Sequence, residues 1–173
     1  MTHDPPLIAP LMLGAVTAAG IAGADSVDEL NALVDTASPA VASLTSPTAD
    51  GTYRGDEVVR VHVVYDEPIT LDTAGGTPTL ALATGQPGGV ATFVEVIGGN
   101  TLVFEYVVRS GDAAPDLDVD STAALALNGG TLRDAFANDA NTAVPAPGAA
   151  GSLGAGKAIG LAAPFVAAPV ISG

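Results

Sequence analysis

Between Glu57 and Tyr65 the chain alternates, with Val59, Val61, Val63 and Tyr65 on one side and Arg60 and His62 on the other. A period of two puts successive side chains on opposite faces, so this stretch predicts a half-buried β-strand. Residues 101–109 repeat the logic: Leu102, Phe104, Tyr106 and Val108 face inward, Glu105 and Arg109 face water. Thr79-Leu80-Ala81-Leu82 and Val90 to Ile97 predict further strands, and Ile69-Thr70-Leu71, Ala124 to Leu127 and Ala158 to Leu161 predict weaker ones. Turn signals punctuate them at Ala49-Asp50-Gly51, Gly75-Gly76, Pro87-Gly88-Gly89, Gly98-Gly99-Asn100 and Asn128-Gly129-Gly130. Gly98-Gly99-Asn100, between two strong strands, predicts a tight hairpin. Short strands separated by turns, with no long helical pattern between them, predict an antiparallel β-sandwich rather than a parallel sheet.

Ahead of the strands the period is different. Asp25 to Asp35 carries Val27, Leu30, Leu33 and Val34 on one stripe, the spacing of a short amphipathic helix. Ser26 and Glu29 make a capping box, and Asp28 and Glu29 favour the positive end of the helix dipole. Leu7 to Ala24 has no charge at all. Pro10, the Ala/Gly content and the lack of flanking Lys or Arg argue against a spanning helix. Ala22-Gly23-Ala24 has the form of a signal cleavage site, but no basic residue precedes the apolar run. The chain therefore divides into an N-terminal arm with a short helix (1–40), a β-sandwich (41–161) and a Pro/Ala-rich extended tail (162–173). Leu7, Ile8, Leu11, Met12, Leu13, Val16, Ile21, Leu30 and Leu33 are the candidate assembly contacts. They have two destinations, the chain's own core or a neighbouring subunit.

Composition narrows the function. Five Lys+Arg face nineteen Asp+Glu in 173 residues, a net charge of −14. Phosphate binding needs clustered cations, so neither nucleic acid nor an anionic membrane is an expected partner. The absence of cysteine removes disulfides, thiolate metal sites and a thiol nucleophile. Aromatics are only 4% and tryptophan is absent, which leaves no visible sugar-stacking platform. The two histidines, His3 and His62, lack partners at ligand spacing, and the glycine pairs lack the basic residue and helix of a phosphate loop. No catalytic motif is present, and no cofactor other than calcium is implied. The densest acid cluster is Asp112, Asp116, Asp118 and Asp120. Alternating aspartates can offer calcium several of its six to eight oxygens, or they can be a solvated loop bonding its own backbone. Asp66-Glu67-Pro68 is a weaker oxygen source.

Taken together, the landmarks resemble the Ig-like repeats of large bacterial surface and adhesin proteins. Ser46 to Tyr53, Gly55-Asp56-Glu57-Val58, Thr77 to Leu82, Thr101 to Tyr106, Gly111-Asp112, Asp116-Leu117-Asp118, Leu127 to Leu132 and Asp134-Ala135-Phe136-Ala137-Asn138 occur in order over roughly residues 41–161. The resemblance implies an Ig-like β-sandwich serving as a non-enzymatic spacer or display module. Those repeats usually stand in tandem, whereas this chain has one copy behind an apolar arm. Single Ig-like modules are similarly carried by phage virion proteins. The expectation is a virion surface component, of capsid-decoration or head-fibre type, in a homo-oligomeric or capsid/tail assembly. The alternatives are a bacterial cell-surface module and a carbohydrate-binding β-sandwich.

Overall fold

A computed structural model describes residues 35–163. The arm, the residues of the expected helix from Asp25 to Val34 and the tail beyond Ala163 lie outside the described residues. Within them the chain is all-β, with strands β1 (Val41–Thr45), β2 (Gly51–Tyr53), β3 (Val58–Tyr65), β4 (Thr70–Asp72), β5 (Thr79–Ala81), β6 (Val90–Ile97), β7 (Thr101–Val107), β8 (Leu125–Ala126), β9 (Thr131–Arg133) and β10 (Ile159–Leu161). A single turn of helix, α1 (Leu153–Gly156), precedes β10.

One antiparallel sheet of six strands, in the order β1-β3-β7-β6-β5-β8, forms the main layer. At its centre the alternation read from sequence becomes cross-strand pairing. Val59 lies opposite Tyr106, Val61 opposite Phe104 and Val63 opposite Leu102. All six face one way and are buried. On β6 an extra residue enters the ladder between Phe93 and Glu95. This bulge resets the phase of the strand. Phe93 pairs with Phe104 and Val96 with Leu102 on the inner face, and Glu95 is turned outward opposite Val103. The Phe93 and Phe104 rings meet edge to face, 6.0 Å between centroids at 73°, the arrangement their quadrupoles favour.

The opposing layer differs from the expected second sheet. It consists of two separate two-stranded pieces, β10-β2 and β4-β9, with coil between them. The β10-β2 pair is parallel, so the architecture is not purely antiparallel. Leu117, Val119, Leu132, Val144, Leu153 and Ile159 come from this side and complete a single core with the sheet. The chain segments that pair as β5-β8 in the main sheet pair again as β4-β9 in the opposing layer. The ribbon turns the corner at two nested glycine turns. A Cβ on Gly76 would sit 1.8 Å from the Asn128 carbonyl oxygen, and one on Gly75 would sit 2.1 Å from that of Gly129. Only glycine permits that approach of backbone to backbone.

Candidate functional site

The four aspartates read as a calcium loop serve separate purposes. Asp112 follows β7 and is completely buried. Its Oδ2 accepts from the Tyr106 hydroxyl at 2.5 Å and the Arg109 backbone N–H at 2.7 Å, and its Oδ1 from the Arg109 guanidinium at 3.3 Å. Burial pushes this carboxyl up, but the Tyr106 hydroxyl, the Arg109 N–H and the guanidinium charge outweigh it and hold the pKa below the ordinary value. Burial first, and then the bond to Asp112, raise the Tyr106 phenol. Arg109 does not simply face water, as the alternation suggested. Strand β7 ends at Val107, so the period no longer governs Arg109. Its guanidinium donates to the Tyr106 hydroxyl, to the Pro87 and Gly88 carbonyls and to Thr84 Oγ1. It thereby ties the 84–88 loop to the end of the central strand.

Asp118 is buried too, among backbone donors rather than cations. Oδ1 accepts from Val119 N–H at 2.8 Å and Leu153 N–H at 3.2 Å, and Oδ2 from Gly148 N–H at 2.9 Å. Desolvation acts to raise its pKa. The donors at Gly148, the Ser152 hydroxyl, Val119 and Gly154 prevail and lower it. Asp116 is exposed. Its Oδ2 lies 3.2 Å, and that of Asp118 3.0 Å, from the place a Cβ would occupy on Gly154. Asp120 is exposed and accepts from the Ser121 hydroxyl.

The carboxylates of these four aspartates do not converge within 4.8 Å of one another as a group of three. Asp112 and Asp118 spend their oxygens on N–H and O–H donors that a cation would have to displace. Asp134 is a turn clamp. Its Oδ1 accepts from the Phe136 and Asn138 N–H groups, both at 2.8 Å, and its Oδ2 from the Asn138 amide at 2.7 Å. The clamp holds Ala137 at φ 68° and leaves Phe136 exposed. Added calcium, or EDTA, is expected to leave the melting temperature unchanged. A calcium-dependent rise that disappears in Asp116→Asn with Asp118→Asn would show that the loop rearranges around the ion.

Three more ion pairs form on the surface. Arg60 meets Glu105 at 2.6 Å, Arg133 meets Asp139 at 2.6 Å and Lys157 meets Asp50 at 3.0 Å. His62 lies on the outer face of the main sheet, where partial burial and then the Arg60 charge lower its pKa against the pull of Glu95. A shallow depression of about 490 Å³ opens at the end of the sheet, where Val90, Glu105 and Val107 meet Asp56, Gly88 and Arg109 of the loops. Among the described residues no buried side-chain nitrogen or oxygen lacks a hydrogen-bond partner, and no helix is long and apolar enough to cross a membrane. The candidate assembly contacts from Leu7 to Leu33 lie outside the described residues. No protein-family model, curated protein or solved structure matches this chain.

Proposed function

We propose that this protein is a non-enzymatic structural module, an Ig-like β-sandwich displayed on a protein assembly and attached through its N-terminal arm. A phage particle surface is the setting that fits best, with a bacterial cell surface as the alternative. One observation carries the reading: the three buried aspartates and four of the five cations are spent on the domain's own structure. Asp112, Asp118 and Asp134 accept from two or more donors each, and four cations sit in ion pairs with neighbouring acids. Such side chains hold loops in place and keep none of their bonding free to bind or turn over a substrate. The high negative charge keeps crowded copies soluble. Two landmarks of the resemblance fall on ordered elements. Thr101 to Tyr106 is a central strand, and Asp134 to Asn138 is a clamped turn.

Deletion of residues 1–24 tests the proposal. Among the described residues alone the core cluster joins both layers, from Leu44 to Leu161; the truncated protein is expected to stay folded, with β-type circular dichroism and unchanged unfolding cooperativity. It is also expected to lose incorporation into the native particle, because burial of each aliphatic side chain of the arm contributes roughly 1.5–3 kcal/mol before ordering costs. A truncated protein that assembles normally, or one that fails to fold, overturns attachment through the arm.

A further inference from the structure

The outer face of the main sheet is unusually apolar for a surface turned to solvent. Val58 pairs with Val107 across β3 and β7. Val90 flanks Val107 on the other side, two residues before Thr92, which pairs with Glu105. The three valines form a row across three strands; Val58, Val107 and Val90 are 46%, 53% and 43% exposed. Val94, pushed out by the β6 bulge, and Ile97 are also exposed, farther along β6 and beyond the rows that carry Glu105 and Glu95. Isolated exposed aliphatics need no explanation, but a contiguous row on a sheet face marks a contact surface.

The charges on the face indicate what covers it. At its centre Arg60 pairs with Glu105, with His62 and Glu95 in the next row. The face is thus nearly charge-balanced on a chain whose net charge is −14. A surface meant for a basic partner would concentrate carboxylates. One meant for a second copy must avoid them, because like charges brought together cost several kcal/mol. The size is that of a weak contact between copies. Strands β3, β7 and β6 span roughly 27 by 14 Å, and the five-residue β1 adds roughly 17 by 5 Å at ordinary strand rise and spacing. This lies below the ~600 Å² per partner at the lower end of stable interfaces.

We propose that a second copy of the chain docks here, sheet face against sheet face, with the same residues used by both partners. The depression beside Val107 receives aliphatic side chains from the facing sheet, and the Arg60–Glu105 pairs lie against each other across the two-fold axis. The proposal deepens the assembly reading by naming the copy-to-copy surface, and it does not involve the arm. Sedimentation velocity on the full chain tests it. The wild type is expected to dimerise at roughly 1–100 µM, weakly because of the small area and the net charge. Added sodium chloride is expected to strengthen the dimer by screening that charge. Val107→Asp is expected to yield monomer with unchanged circular dichroism, and Val107→Thr, which keeps strand propensity, an intermediate affinity. A wild type that stays monomeric overturns the proposal. So does a Val107→Asp protein that associates like the wild type, even if arm deletion then abolishes association. Loss of particle incorporation on arm deletion, with dimerisation intact, leaves the sheet interface standing.

Discussion

Replacing Phe104 with alanine is expected to destabilise the domain by about 3–5 kcal/mol. The side chain is fully buried at the middle of the central strand. It belongs to the core shared by both layers, lies opposite Val61 and Phe93 on its neighbours and makes the edge-to-face contact with Phe93. Truncation removes that contact and leaves a cavity that flanking strands, pinned by their ladders, cannot close. Urea unfolding followed by circular dichroism measures the loss. A cost below about 1 kcal/mol would mean that the two layers do not close over this ring.

Asp118→Ala is expected to be comparably damaging, roughly 3 kcal/mol or more, although the residue is polar and sits in a loop. Its carboxylate satisfies the N–H groups of Val119, Gly148 and Leu153, and each donor left buried without a partner costs about 1–3 kcal/mol. Asp118→Asn keeps one acceptor oxygen and should lose less. The same carboxylate makes stability depend on pH. Its folded pKa is lowered, as are those of Asp112 and Asp134. Groups of that kind contribute stability that is full above the unfolded aspartate value of about 4 and is lost as the pH falls through the lower folded values. The melting temperature should thus hold from neutral pH to about 5 and drop below about 4. In Asp118→Ala the drop should be shallower. An equally steep acid transition in that variant would remove Asp118 from the account.

Strands β3 and β7 are legible in the sequence because large side chains alternate over eight and seven residues, long enough for a period of two to stand out. The extent of β6 is legible as well, but its bulge is not, since an inserted residue leaves the composition of the run unchanged. Strands β2 and β9 have three residues each. That is too short to carry a period, and both form only because the opposing layer supplies a partner. The parallel pairing of β2 with β10 joins residues about as far apart as the domain allows, and local sequence does not encode it. The acidic loop shows the same split. Its turn character is readable from Asp and Pro. The burial of Asp112 and Asp118 depends on their donors, and for Asp118 two of those are 30 and 35 residues away. Phe136 and the outer valines give no sequence signal, because an apolar residue on a strand or turn reads the same whether it faces the core or solvent.

The pairing of β2 with β10 has a mechanical consequence. Gly51–Tyr53 lies near the entry of the domain and Ile159–Leu161 at its exit, and the two run in the same direction, side by side. Once β1, which precedes β2 and is paired with β3, has given way, tension through the chain pulls β2 backward along its axis and β10 forward along the same axis. The hydrogen bonds between them are then loaded together, in shear. Two antiparallel terminal strands pulled from the same end would instead unzip, each bond breaking in turn. Leu161 is also held on its other side, through the Ala114 bridge, so β10 must break from both neighbours before the chain can lengthen. A module built in this way resists tension applied along its length.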